Sequence, residues 1–394
     1  MFAARTAWNL TPNALSERLA AHRRAGRAVL DLTESNPTRC GFLYDPETIL
    51  GALARPQSLV YEPHPKGLPS ARRAVADYYA AQGVPVDPEH LILTASTSEG
   101  YSFLFRLLVE PGQNVLVPRP SYPLFDFLAQ INDVRLRSYP LVYEHGWRVD
   151  AEALRAQVDA GTRAILIVNP NNPTGSFLDR DDLSALVDIS RQHGLALVAD
   201  EVFSDYAWAP HPRRVESLAA VHDVLTFTLN GLSKMLGLPQ MKLGWICTSG
   251  PPAERRTALE RLEVIADTYL SVNTPVQVAV PEWLPARAGI QRQILRRVRD
   301  NRDFLVEAVN RARLCRCLET EGGWYTVLRV PRTQTEEAWV LQLLDRDSVL
   351  VHPGYFFDFV TEGYLVVSLL PPPDVFQSAV MRLLARVEDS TTSQ

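Results

Sequence analysis

Lysine is nearly missing from this 394-residue chain: it occurs only at Lys66, Lys234 and Lys242, and the other 37 of the 40 basic residues are arginine. A chain that spends arginine on its solvated positive charge leaves each lysine as a candidate for chemistry that a guanidinium cannot perform. Imine formation is such chemistry, because an amine can lose its proton and attack a carbonyl whereas a guanidinium stays protonated. Cysteine is scarce too. Cys40, Cys247, Cys315 and Cys317 form no CxxC pair and no zinc-ligand spacing, which argues against a disulfide framework or a metal site and for a reducing compartment. No apolar run approaches the ~18 to 20 residues of a membrane span. Residues 1–26 lack the apolar core of a signal peptide and carry Glu17 among their arginines, so the expected location is the cytoplasm. No strand is followed by GxGxxG, which counts against a nicotinamide-binding fold. The net charge of −5 points away from nucleic acid and membrane surfaces as principal partners and towards a small molecule.

With 46% hydrophobic and 22% charged residues, the chain has the composition of a globular protein of two to three domains, or one large domain with a smaller satellite. Between about 85 and 250, short apolar runs alternate with helix-period segments, the pattern of a largely parallel sheet covered by helices. The expected strands are 90–95, 114–118, 163–169, 195–200, 224–229 and 243–247. The expected helices are 69–82, 98–109, 122–131 and 179–193, with Thr11-Pro12 opening an earlier one towards Gly26. After Gly250 the pattern becomes α+β: helices at 252–270 and 286–312, β-like runs at 324–330, 348–353 and 363–370, and a closing helix at 374–387. The last seven residues read as a frayed tail.

The strongest local signal is Asn169-Pro-Asn-Asn-Pro-Thr-Gly175 after a buried strand. Alone it is a turn, since Asn, Pro and Gly punctuate chains. Downstream, however, Asp200 ends another apolar strand in LVADEVF, and Lys234 lies in a small-residue turn after a third, in NGLSKM. An isolated acid or lysine is usually just solvated, but three such groups at successive strand ends converge on one crevice if the sheet is parallel. Ser96, Thr97 and Ser98 open a helix, where they serve either as simple caps or as a phosphate site.

In these motifs, and from roughly Leu32 to Arg386, the sequence resembles the class I/II aminotransferases, fold-type-I enzymes that depend on pyridoxal 5′-phosphate (PLP). The resemblance implies an α/β fold: a large domain (45–285) with a mostly parallel seven-stranded sheet covered by helices, and a smaller α+β domain formed by 1–44 and 286–394. It also implies that Lys234 forms the internal aldimine and later moves the Cα proton, that Asp200 pairs with the protonated pyridine nitrogen, and that Asn172 hydrogen-bonds the 3′-oxygen. A carboxylate beside that nitrogen keeps it protonated, so the ring can accept electrons when a Cα bond breaks. Ser96, Thr97 and Ser98 match the phosphate cup, completed by Ser233 and Lys242. Tyr122 matches the aromatic stacked on the ring, with a core tyrosine as the alternative. Tyr61 matches a tyrosine that reaches the neighbouring subunit's phosphate, which implies a homodimer with shared sites.

Four departures from the family stand out. Phe203 replaces the tyrosine common three residues after the aspartate, Gly231 replaces a phosphate-binding serine, and Lys242 stands where arginine is usual. In the last strand Val366 aligns with the arginine that grips the substrate α-carboxylate. Candidate substrate contacts are therefore Asn36, Arg39, Asn172, Arg329 and Tyr355. The alternative for Arg39 is a loop charge, for Arg329 a surface strand charge and for Tyr355 a packed aromatic. The leading expectation is an aminotransferase that moves an amino group between an amino acid or amine and a 2-oxo acid, returning the cofactor through pyridoxamine phosphate. The rivals are a PLP-dependent lyase, decarboxylase or replacement enzyme, and a non-catalytic PLP-fold regulator.

Overall fold

A sheet of eight strands forms the larger part of the molecule. Its spatial order is Leu91–Thr94, Gly244–Ser249, Thr226–Gly231, Ala196–Asp200, Thr162–Val168, Asn114–Arg119, Arg135–Tyr143 and Trp147–Val149. The structure, a computed structural model, describes residues 1–392 except Leu124. The five strands from Thr226–Gly231 to Arg135–Tyr143 pair in parallel, Gly244–Ser249 runs antiparallel to both its neighbours, and Trp147–Val149 adds a short antiparallel edge. The expected seven strands are thus joined by an eighth at the rim. Central strands such as Thr162–Val168 and Ala196–Asp200 are buried almost throughout, as strands covered by helices on both faces must be.

The helices Pro69–Ala81, Thr97–Leu108 and Arg180–His193 lie within a residue of their expected bounds. Asp179 caps the last of them, accepting from the amides of Asp181 and Asp182. The helix expected at 122–131 is observed as Phe125–Ile131, with Leu124 outside the described residues. The N-terminal helix starts later than expected, at Ala14, because Asn13 rather than Thr11 caps it by accepting from Ser16 N at 2.8 Å.

Several elements escaped the sequence pattern, the helices Pro46–Leu53, Ala151–Gln157 and Glu336–Asp347 among them, and two of the others have a clear physical reason. The Arg135–Tyr143 and Trp147–Val149 hairpin lies at the sheet edge, where half-buried residues do not make an apolar run. The helix Thr274–Ala286 contains Pro281 and Pro285, each costing an interior helix about 3 kcal/mol or more. Burial of Val276, Val280, Trp283 and Leu284, at roughly 1.5 to 3 kcal/mol per large apolar side chain, offsets that cost.

The C-terminal half builds a second, antiparallel sheet in the order Arg316–Cys317, Tyr325–Arg329, Tyr364–Ser368, His352–Pro353. Leu30–Asp31 pairs in parallel with Val349–Leu350, and the amide of Ser368 donates to Leu32 O. The chain ahead of Tyr44 is thereby stitched to the C-terminal sheet. The final helix runs Pro373–Thr392, so the expected frayed tail is helical through Thr392, and Ser393 and Gln394 lie outside the described residues.

Candidate active site

Parallel pairing puts the polar strand ends side by side. Val168 registers with Asp200 and Asp200 with Leu229, while Lys234 follows on the short helix Leu232–Met235. The NPNNPTG loop, Asp200 and Lys234 therefore leave three neighbouring strands at the same edge, where open α/β sheets bind ligands. The Lys234 turn is held from behind. Tyr206 donates its hydroxyl hydrogen to Lys234 O at 2.7 Å, and Gln291 donates to Met235 O at 3.0 Å.

The two charged groups perturb each other in a dry setting. Burial pushes the Asp200 carboxyl up to about 6, opposed by hydrogen bonds from Val202 N and Tyr101 Oη and by the charge of Lys234. Burial pushes the Lys234 amine down to about 8, opposed by the charge of Asp200. Its Nζ lies 5.2 Å from the Trp324 ring centre and 5.5 Å from that of Phe203. An amine with that pKa is substantially neutral near pH 8 and is therefore a competent nucleophile and base. Tyr101 has no sequence signal as a site residue. Its hydroxyl reaches Asp200 across the fold from the helix Thr97–Leu108.

Several features fit a bound PLP. The Asn172 side-chain oxygen is buried with no donor among the described residues, an orphan that a cofactor hydroxyl can satisfy. Asp200, 8% exposed, has no cationic hydrogen-bond partner among the described residues, and a protonated ring nitrogen would supply one. Ser96 caps Thr97–Leu108 by accepting from Glu99 N at 3.2 Å. Among the described residues, the amides of Thr97 and Ser98 have no protein acceptor, as an anion site at a helix start requires.

Two glycines shape this cup. A Cβ at Gly244 would come within 3.1 Å of Thr97 N, so its absence lets the helix start approach the strand. At Gly231 a Cβ would lie 2.8 Å from Leu243 O; the serine common in the family would collide with the adjoining strand, which explains that departure. Ser233 is half-buried and Lys242 exposed, its backbone in the left-handed region at φ 53°.

Tyr122 is half-exposed beside this crevice, its hydroxyl pKa raised by burial and by the Asp200 charge. Tyr61 stands apart on the surface, 74% exposed.

The substrate side is less polar than expected. Val366 is fully buried and pairs with Val327, and no arginine lies in Tyr364–Ser368. Arg329 is exposed at the strand end opposite Arg316. It lies four residues, or ~13 Å, from Tyr325, whose ring is 6.4 Å from that of Phe203. The structure therefore does not bring Arg329 together with Lys234. Asn36 is engaged in its own turn, accepting from Thr38 N and Oγ1. Arg39, at the end of that turn, is exposed. Tyr355 is half-exposed, its amide donating to Glu336. Sequence reasoning missed Trp324 and Tyr325, an aromatic pair after Gly322-Gly323. Burial pushes the Tyr325 phenol up to about 12, and Ser35 hydrogen-bonds it.

The model of the family described as aminotransferase class I and II matches residues 30–382, and the chain belongs to that family. A glutamate-pyruvate aminotransferase from Haemophilus influenzae is 29% identical over 373 residues, 92% of each chain. An alanine aminotransferase from Mycobacterium tuberculosis is 28% identical, covering 91% of this chain and 85% of the relative. Among solved structures, an Escherichia coli aminotransferase is 26% identical with a TM-score of 0.86, covering 98% of both chains. An alanine aminotransferase from Pyrococcus furiosus, 23% identical over 99% of this chain and all of the other, shares the fold with a TM-score of 0.89. The chain is a PLP-dependent aminotransferase.

Proposed function

We propose that this enzyme transfers an amino group from an amino acid or amine to a 2-oxo acid, with Lys234 as the residue that carries the cofactor and moves the proton. The observation that supports this most is the placement of Asn172, Asp200 and Lys234 at neighbouring parallel strand ends. Bound there, PLP supplies a carbonyl that condenses with amines and a ring that accepts the electron pair released at the donor α-carbon. Asp200 holds the ring nitrogen protonated, Asn172 and Tyr122 orient the ring, and Ser96, Thr97, Ser98, Ser233 and Lys242 hold the phosphate. Neutral Lys234 Nζ takes the proton from the donor α-carbon.

The relatives' names point to alanine, glutamate and pyruvate as donor and acceptor chemistry. With Val366 in place of the usual arginine, we assign the substrate carboxylate to Arg39, four residues beyond Ser35 and its bond to Tyr325. Tyr61 and the adjoining exposed Leu59 and Val60 form an apolar surface suited to a second copy of the chain, with Tyr61 reaching its phosphate. Four unpaired cysteines accord with a cytoplasmic location.

The test is spectroscopic: addition of alanine or glutamate to the holoenzyme should convert the PLP absorbance into that of pyridoxamine phosphate, and pyruvate should reverse it. Release of ammonia and pyruvate from a β-substituted donor without that conversion would indicate elimination instead. Light scattering that returned a monomer mass would remove the shared-site part of the proposal.

A further inference from the structure

Arg214 is a buried cation that forms no ion pair among the described residues. It is 7% exposed, its guanidinium stacks 4.2 Å over the Phe177 ring, and its Nε is buried without an acceptor. Its neighbour Arg213 pairs with Asp179 and Asp181. The comparably buried Arg72 donates to Gly67 O, Pro88 O and Glu89. Among the described residues Arg214 donates no side-chain hydrogen bond and has no ion pair, an arrangement that leaves its buried donor unused.

Arg214 borders a cavity of about 460 Å³ that also presents His211, Arg299, Arg302, Glu319 and Glu321. Two of the cations are already positioned there. Arg299 donates to Trp208 O at 2.6 Å, and Arg302 lies 5.0 Å over the Trp208 ring. One oxygen of Glu321 accepts from Phe177 N at 2.8 Å, which fixes that carboxylate beside the Phe177–Arg214 stack.

We propose that this cavity is a second, non-catalytic subsite for a small carboxylate, an amino acid or a 2-oxo acid, held by the Arg214 fork. A guanidinium stacked on an aromatic face keeps its edge free for the two oxygens of a carboxylate. Glu319 and Glu321 on the same wall disfavour polyanions such as nucleotides and give an ammonium group a place to sit.

The cavity wall is joined to the active site by backbone. Trp208 N donates to Glu321 O at 2.9 Å, Gly323 N donates to Tyr206 O at 3.0 Å, and Trp208 Nε1 donates to Gly323 O at 3.3 Å. Tyr206 in turn holds Lys234 O, and Trp324 lies against Lys234 Nζ. An occupant on Arg214 thus braces the strip from which the catalytic lysine is positioned.

The test is calorimetric titration of sodium acetate, and separately glycine, into the holoenzyme at constant ionic strength. The readout is the component that depends on Arg214, so binding at Lys234 and the absence of turnover do not enter. Saturable binding that weakens at least tenfold in Arg214→Gln is expected. Tighter glycine than acetate would assign the site to amino acids, and the reverse order to oxo acids. No saturable binding, or equal affinity in the variant, overturns the proposal. Should Arg214→Gln fail to fold, Arg299→Glu at the exposed rim is expected to weaken binding at least threefold, and unchanged affinity there overturns it.

Discussion

The two walls of the active-site crevice differ in kind. Among the described residues, the wall built by the large sheet carries an orphaned Asn172 oxygen, an Asp200 with no cation in hydrogen-bond contact and free amides at Thr97 and Ser98. On the side of the C-terminal sheet, Val366, where the family uses arginine, is fully buried and paired with Val327. Cofactor chemistry constrains the first wall tightly, since any carbanion needs the same electron sink. On the second side Val366 takes the place of the family's carboxylate-gripping arginine, whereas the departures beside the cofactor, Phe203, Gly231 and Lys242, leave Asn172, Asp200 and Lys234 in place.

Placing an arginine back into the apolar wall is the harshest way to break the comparison. Val366→Arg buries an unpaired charge between Val327 and His352 and is expected to destabilise the protein by about 3 to 5 kcal/mol, measured by denaturant unfolding. A well-folded variant with improved donor KM would show instead that the wall is a vacant carboxylate site. On the polar wall, Asp200→Asn keeps the shape and removes the charge. Turnover is expected to fall about 10²- to 10³-fold with folding preserved; a fall under threefold would remove Asp200 from the chemistry.

Gly231→Ser tests whether the cup tolerates the family's serine. The Cβ overlap with Leu243 O should cost about 1 to 3 kcal/mol, read as a lower melting temperature and faster loss of PLP on dialysis. The smallest expected effect is on pH. Because burial lowers the Lys234 amine to about 8 and Asp200 pulls it back up, the rate of PLP uptake by the apoenzyme should rise with pH and level off above about 8. In Asp200→Asn the midpoint should move to lower pH, and an upward move would contradict the pairing.

The same contrast explains what the sequence disclosed. Asn172, Asp200 and Lys234 were legible because each follows a buried parallel strand, which reads as an uninterrupted apolar run ending in a motif. The substrate side was not, because Ser35, Phe203, Trp324 and Tyr325 come from three distant segments and meet only in the fold. Arg329 looked as good as Arg39 in one dimension, and only the strand's length separates it from the crevice. The helix Thr274–Ala286 was hidden by its own prolines, which tertiary burial overrides. Gly231 read as a lost phosphate ligand, and became intelligible as a close approach between two strands.

The most direct test of the account is borohydride reduction of freshly isolated holoenzyme followed by peptide mass mapping. A pyridoxyl group on Lys234, with none on Lys66 or Lys242, is the expected result. An unmodified Lys234 in enzyme that still carries PLP would contradict it.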